Sequence, residues 1–174
     1  MDDKFYIGID IGLHGAIAVI KGRNIKTLQM PVIKKVLDIN KLSKLFSKFK
    51  NKNCIVVHEK LGSIFGSSKA TALSMGYQMG AIEGICAAYG LANVPVAAKV
   101  WQSEMFIGVR EIMKPAKKTS KTGKPTRDTK AMALCSIKQR FPNLKLTFGE
   151  KSKKPHDGLV DSVLLAEYSR MKNL

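Results

Sequence analysis

Two short apolar runs in this chain each end on a carboxylate, and this pattern constrains the fold more than any other feature. Residues 5–9 lead into Asp10, and residues 54–58 lead into Glu59. Short apolar runs of this kind are typical of buried strands. An acid at the carboxyl end of a buried strand is held rigidly and points outside the sheet. The pattern therefore predicts an α/β core that displays acids at the ends of its strands.

The rest of the chain supplies the other elements of such a core. Strands are predicted over residues 16–21 and 25–30, which complete an antiparallel meander, and over residues 94–100. Helices are predicted over residues 38–49, 67–89 and 101–108, from Thr126 or Asp128 to Phe141, and from His156 or Asp157 to about Met171. At 174 residues, the chain is expected to form a single domain, 1–174.

The charge of the chain points to a polyanionic partner. There are 30 Lys and Arg residues against 13 Asp and Glu, a formal net charge of +17, which exceeds what solubility requires. Residues 110–154 alone hold 14 basic residues against three acids. Within them, residues 113–127 combine Pro and Gly with lysines, which predicts a mobile basic loop. No apolar run reaches the length of a membrane span, and no membrane partner is expected.

The densest basic stretch is interpreted as a DNA-binding surface. Its alternative is a solvated loop without contacts, but phosphate contacts are favoured. Lysine is a point charge on a flexible stem and positions a backbone rather than reading bases. Lys60 and Lys69, near Glu59, are further candidates. The stretch itself comprises Lys114, Lys117, Lys118, Lys121, Lys124, Arg127 and Lys130.

Cysteine usage and the amino terminus indicate the compartment. The three cysteines are scattered and show no metal-binding or paired spacing, which favours reduced thiols. The chain enters a strand directly after its first residues, without a signal peptide. We expect a cytoplasmic protein of a bacterium or of a phage-infected bacterial cell.

A second pair of acids lies near the end of the chain. Asp157 and Asp161 are four residues apart in a predicted helix and share one face. If that helix packs over the strands that end at Asp10 and Glu59, four carboxylates converge and repel one another. Mg²⁺, which prefers oxygen ligands, resolves this repulsion, and two such ions catalyse phosphodiester hydrolysis. Mn²⁺ is a candidate substitute.

Each acid also has a simpler structural interpretation. Asp10 can begin a turn, Glu59 can end an exposed strand, and Asp157 can cap a helix. Asp161 can be a solvated acid of the helix. The joint placement of all four beside apolar residues favours the metal cluster. His156 is expected to contact a phosphate or to support a metal ligand rather than to bind an ion.

Four segments, in this order, resemble the RuvC-like Holliday-junction resolvases of the RNase H-like nuclease superfamily: YIGIDIGLHGAIAVI, IVVHEK, SMGYQMGAIEG and HDGLVDSVLLAEY. The resemblance covers nearly the whole chain. Its most specific part is the HDG-x-x-D ending, which looks closest to the resolvases of phages and organelles. The better-known bacterial branch has a three-residue spacing there.

The resemblance implies a mixed five-stranded sheet, order 3-2-1-4-5, with an antiparallel β1-β2-β3 meander and flanking α-helices. It also implies a homodimer that cuts opposed strands of a four-way junction, with Asp10, Glu59, Asp157 and Asp161 as metal ligands. In these enzymes an aromatic residue after the strand Glu often stacks on a base, and Phe65 is the candidate here. A core or interface aromatic is its alternative.

The helix after Glu59 carries a stripe of small residues, spaced four apart. A glycine inside a helix costs about 1 kcal/mol relative to Ala, so three of them need a reason. Close packing against a partner helix is the first interpretation, and close approach of DNA is the second. The stripe comprises Ser68, Ala72, Gly76, Gly80, Gly84 and Ala88.

Three other functional classes remain open from the sequence. An actin-like kinase or ATPase has a similar first hairpin but requires two duplicated halves and a much longer chain. A non-catalytic DNA-binding module explains the charge but not the acids. A nuclease of the same fold that cuts flaps or RNA–DNA hybrids differs only in substrate.

Overall fold

The structure, a computed structural model, describes residues 4–61, 68–115, 123–149 and 152–174. Its strands are β1 (Phe5–Asp10), β2 (Ala16–Lys21), β3 (Asn24–Gln29), β4 (Val32–Ile33), β5 (Val36–Leu37), β6 (Cys54–Glu59), β7 (Ala92–Val96), β8 (Met113–Lys114) and β9 (Thr126–Arg127). Its helices are α1 (Ile39–Phe46), α2 (Lys69–Ala88), α3 (Ala98–Met105), α4 (Thr129–Arg140) and α5 (Asp157–Met171). A short 3₁₀ helix, Ser47–Phe49, extends α1.

Five strands form the central sheet, in the order β3-β2-β1-β6-β7. β1, β2 and β3 are antiparallel neighbours, while β6 pairs in parallel with β1 and with β7. The predicted mixed sheet and its meander are therefore confirmed. The strands predicted as the fourth and fifth of the sheet are numbered β6 and β7, because a hairpin of β4 and β5 that was not predicted precedes them in the chain.

Alternation of side chains along β1 divides the core into two layers. Tyr6 is buried on the face covered by α3, α4 and α5. Ile7 and Ile9 are buried on the opposite face, against α1 and α2. Asp10 is four residues after Tyr6 in the strand, so its side chain is on the same face, which α5 covers.

Helix α5 lies directly on β1, and Gly8 makes this possible. A Cβ atom at Gly8 would stand 2.1 Å from the carbonyl oxygen of Ser162 and 2.5 Å from the backbone nitrogen of Ala166. Most of α5 is buried as a result. This close approach brings the first turn of α5 beside the carboxyl end of β1.

Two predicted boundaries were wrong. The strand predicted over residues 94–100 ends at Val96, and α3 begins at Ala98, where we predicted a start at Trp101. β7 is an edge strand, which tolerates Pro95, and α3 buries Trp101 and Met105 one turn apart.

The loop predicted over residues 113–127 has paired ends. Met113 pairs with Arg127, and Lys114 pairs with Thr126, in the antiparallel hairpin of β8 and β9. Asp128, one of two predicted caps, then begins α4 by accepting a hydrogen bond from the backbone N–H of Ala131.

In the described part of the chain, the helices are too short or too polar to cross a bilayer.

Candidate active site

Asp10 and Glu59 end neighbouring parallel strands at the same level. The register pairs Ile9 of β1 with His58 of β6. The next residues, Asp10 and Glu59, therefore stand side by side at the carboxyl edge, one strand spacing of about 4.8 Å apart. The sheet thus supplies two rigid carboxylates at a single edge.

The first two turns of α5 bring the other two acids to this edge. A Cβ atom at Gly158 would stand 2.6 Å from Oδ2 of Asp10 and 2.9 Å from the Cα atom of Gly15. Only a glycine therefore fits between Asp157 and the end of β1. Asp157 is exposed at the start of the helix, and Asp161 is half-buried one turn later.

The four carboxylates interact electrostatically. Burial, followed by the charges of Glu59 and Asp157, raises the pKa of Asp10 from 3.8 to about 6. Burial, followed by the charges of Asp10, Glu59 and Asp157, raises the pKa of Asp161 from 3.8 to about 7. Lys130 partly offsets both shifts. Two acids of the site therefore keep their protons to a higher pH than a free Asp does, until a cation neutralises the site.

Glu59 is held by a residue of the core. The indole N–H of Trp101 donates a hydrogen bond to Oε2 of Glu59 at 3.3 Å. Burial raises the pKa of Glu59, whereas this hydrogen bond lowers it. Trp101 is completely buried, and its contact with Glu59 was not predicted from the sequence.

A lysine of α4 reaches into the acidic cluster. The ammonium of Lys130 lies 2.5 Å from Oδ2 of Asp157. The hydrogen bond and the charge of Asp157 raise the pKa of Lys130. The positive charge of Lys130 thus neutralises part of the negative charge of this cluster.

A cleft of about 430 Å³ opens beside these groups. Asp157 and Asp161 line it together with Lys114, Lys130 and Lys154. A cleft that combines carboxylates with lysines can hold an anionic substrate next to a bound cation. Lys154 was not among the predicted contacts, although it lies in the basic segment 110–154.

His156 is one of the two residues predicted to begin the last helix, and it has a structural role there. Its Nδ1 atom accepts a hydrogen bond from the backbone N–H of Leu159 at 3.2 Å, so it caps α5. Its ring packs edge-on against Phe148, with the ring centres 5.0 Å apart. The cap fixes the start of α5, and hence the position of Asp157.

The remaining predicted DNA contacts are spread over the surface. Lys60, Lys69 and Lys124 are exposed. Arg127 pairs with Glu111 at 2.8 Å. Four predicted contacts lie outside the described residues: Phe65, Lys117, Lys118 and Lys121.

The donor set suits a hard divalent cation, because it consists of carboxylate oxygens that carry more negative charge than their surroundings neutralise. As the side chains stand, the described residues contain no group of three or more Asp, Glu, His or Cys side chains arranged to hold an ion. Asp157 instead pairs with Lys130. The chemistry of the site therefore fits a metal, whereas a closed coordination shell requires side-chain adjustment.

Comparison with known proteins identifies the fold. No protein-family model and no curated protein matches the chain. The solved structure of Thermus thermophilus RuvC matches 95% of this chain and 95% of that chain, with 14% identity and a TM-score of 0.52. The structure of T. thermophilus RuvC in complex with Holliday junction substrate matches 97% and 96%, with the same identity and TM-score. The chain therefore has the fold of RuvC.

Proposed function

We propose that this chain is a metal-dependent, structure-selective endodeoxyribonuclease that resolves four-way junctions and cuts other branched DNA. The observation that carries the proposal is geometric: Asp10 and Glu59 end neighbouring parallel strands, and the helix that bears Asp157 and Asp161 packs against Asp10 beside a lysine-lined cleft, within a chain of net charge +17. The fold shared with RuvC, one structure of which holds a Holliday junction substrate, supports it.

The four carboxylates Asp10, Glu59, Asp157 and Asp161 would hold two Mg²⁺ ions, with Mn²⁺ as a substitute. When bound, the ions would supply Lewis-acid activation of the attacking water and stabilise charge on the leaving 3′ oxygen. Binding would also release the protons that the metal-free site favours on Asp10 and Asp161.

The lysines of the cleft would hold the DNA backbone around the scissile phosphate. Lys114 and Lys154 line the cleft beside Asp161. A cation bound at Asp157 would weaken the ion pair of that residue with Lys130. The Lys130 ammonium would then be available to a phosphate oxygen.

Paired cuts across a junction require two active sites related by a two-fold axis. The exposed face of α2 is the candidate interface. Cβ atoms at Gly76, Gly80 and Gly84 would meet no atom within 4 Å. Leu73 and Tyr77 on the same helix are also exposed. We propose that a second copy of the chain covers this face.

A cleavage panel tests the function. Junction, fork, flap, duplex and RNA–DNA hybrid substrates are incubated with Mg²⁺ and the wild-type chain, Asp10→Asn or Asp161→Asn. We expect paired nicks in the junction with wild type, and junction binding without nicking for both variants. Asp38→Asn is the matched control, because Asp38 caps α1 and Asn caps a helix equally well.

The other outcomes select the alternatives. Junction binding without cutting in any divalent metal would favour a non-catalytic DNA-binding module. Preferential cutting of the hybrid or of a flap would keep the nuclease chemistry and change the substrate. Normal cutting by Asp161→Asn would contradict the metal assignment.

A further inference from the structure

A second basic surface lies on the sheet face opposite Asp10, between β3 and α1. Two cavities, of about 240 Å³ and 440 Å³, adjoin there and share Leu28, Leu45 and Lys48 as lining residues. We call this surface the lysine groove. It is lined by Lys21, Lys26, Lys41, Lys44, Lys48 and Lys52.

The groove lies in a segment of the chain that is strongly basic. Residues 21–52 contain ten Lys or Arg residues and one acid, Asp38. Asp38 is engaged in capping α1, where it accepts a hydrogen bond from the backbone of Lys41. In the ranges that the structure describes, Lys26, Lys44 and Lys48 form no ion pair. Such a cluster attracts a polyanion.

Aromatic rings position two ammonium groups at one end of the groove. The Lys21 ammonium lies 4.6 Å from the centre of the Phe5 ring, and the Lys52 ammonium lies 5.5 Å from it. Lys52 also lies 5.9 Å from the ring of Phe49. Cation–π contacts of this kind stabilise an ammonium group beside an aromatic ring.

The other end of the groove reaches the level of the active site. Asp10 pairs with Ala16, and Ala16 pairs with Gln29, so Gln29 lies two strands, about 10 Å, from Asp10. From Gln29 the groove follows β3 down to Asn24, a distance of about 17 Å. That length corresponds to about five base-pair steps of a duplex.

The hairpin of β4 and β5 stands at the upper end. Its base is fixed, because the N–H of Met30 donates to the carbonyl of Gly15 at 3.1 Å and the N–H of Asp38 donates to that of Pro31 at 2.9 Å. Its tip carries the exposed residues Lys34 and Lys35. Basic charge therefore continues from the groove toward the edge of the sheet that bears the catalytic acids.

We propose that the lysine groove binds the phosphodiester backbone of a duplex arm of the branched DNA substrate, apart from the catalytic cleft. The identity of this partner rests on the proposed function. The groove uses lysines throughout, which suits a backbone contact independent of sequence. Its concave shape suits a duplex better than a membrane, which is bound by apolar side chains that project from a helix.

The test measures junction binding in EDTA, where cutting cannot interfere, by fluorescence anisotropy from 50 to 300 mM salt. The variant is Lys44→Gln/Lys48→Gln. If both lysines contact phosphates, the slope of log affinity against log salt should fall by about 1.8, since each contact contributes about 0.9. Affinity at 0.1 M salt should fall on the order of tenfold or more. Lys26→Gln, on β3, should show about half the change in slope.

The matched control is Lys138→Gln/Lys145→Gln, which removes two exposed lysines elsewhere. Thermal melts verify that both double variants are folded. A control that loses as much affinity as the groove variant would overturn the proposal, as would an unchanged salt slope in the groove variant. Loss of binding to anionic vesicles with unchanged DNA binding would overturn it in favour of a membrane surface.

The two proposals fail separately. If the wild-type chain binds junctions but never cuts them in Mg²⁺, the nuclease assignment fails and the groove result stands. If the wild-type chain cuts and the groove variant binds with the wild-type salt slope, only the groove assignment fails.

Discussion

The indole N–H of Trp101 donates a hydrogen bond to the Glu59 carboxylate across 3.3 Å, from a side chain that is completely buried. This contact joins α3 to the carboxyl end of β6. It opposes the effect of burial on the pKa of Glu59. The orientation and the charge of one candidate metal ligand therefore depend on a core residue that does not itself line the cleft.

Trp101→Phe should impair metal use more than folding. The substitution keeps an aromatic ring against Phe106, which lies edge-on to Trp101, and removes the hydrogen bond. Loss of roughly 1 kcal/mol should raise the Mg²⁺ concentration for half-maximal cutting about 3–10-fold. The pKa of Glu59 should rise, so the acid limb of the cleavage–pH profile should move to higher pH.

Phe106→Leu is the control for Trp101→Phe. It disturbs the same aromatic pair without touching Glu59, so it should lower the melting temperature and leave the Mg²⁺ requirement unchanged. A Trp101→Phe enzyme with the wild-type Mg²⁺ requirement and pH profile would show that the hydrogen bond has no functional role.

Gly158→Ala should impair the active site while the protein remains folded. Its Cβ atom would stand within 3.0 Å of Oδ2 of Asp10, the Cα atom of Gly15 and the carbonyl oxygen of His14. The first turn of α5 must move away, at a cost of about 1–3 kcal/mol. We expect cutting to fall at least tenfold, measured on the junction at saturating Mg²⁺, in a protein that still melts cooperatively.

Gly8→Ala provides the contrast. Its Cβ atom would meet the backbone of Ser162 and Ala166 in the middle of α5, so the whole helix must shift. Urea unfolding should show a larger loss of stability than for Gly158→Ala. Equal losses in the two variants, or full activity of Gly158→Ala, would contradict the proposed fit of α5 against Asp10.

The sequence was informative where local patterns determine structure. Apolar runs located β1 and β6, and their terminal acids located Asp10 and Glu59. The spacing of Asp157 and Asp161 placed them on one helical face. The hairpin of β4 and β5 was missed, because its turn is Lys34-Lys35, with φ values of 48° and 63°. Such turns usually carry Asn or Gly.

Features made by several elements could not be predicted in this way. The lysine groove draws residues from β2, β3 and α1, and the lysines of α1 have the pattern of any solvated helix face. The contact of Trp101 with Glu59 joins residues 42 positions apart. The choice between His156 and Asp157 as the start of α5 stayed open, because histidine is not among the preferred capping residues whereas Asp is.

The metal-free protein should lose stability as the pH rises. Asp10 and Asp161 have folded-state pKa values raised from 3.8 to about 6 and about 7. Between about pH 4 and pH 7, the folded state therefore binds more protons than the unfolded state, and stability falls as these groups ionise. In EDTA, the free energy of unfolding by urea should be about 1–3 kcal/mol lower at pH 8 than at pH 5.

Asp161→Asn should remove much of this pH dependence and stabilise the metal-free protein at pH 8. Mg²⁺ should raise the stability of the wild-type chain at pH 8 but not that of the variant. Asp38→Asn, at a residue that does not shift the pKa of Asp10 or Asp161, should retain the wild-type response. Destabilisation of Asp161→Asn at pH 8 would mean that this carboxylate is better accommodated when ionised than its burial and neighbours indicate.

Gly80→Leu should convert a dimer into a folded monomer. Gly80 is exposed in the middle of α2, with open space around it, and leucine favours a helix over glycine by nearly 1 kcal/mol. The isolated chain should therefore remain stable, while a second copy could no longer approach the stripe. Sedimentation velocity at micromolar concentration should show the change in mass, and junctions should receive single, uncoupled nicks. Lys138→Leu, which adds the same side chain to the exposed face of α4, should stay dimeric with paired nicks. A wild-type chain that sediments as a monomer, or a Gly80→Leu variant that stays dimeric, would rule out this face of α2 as the interface.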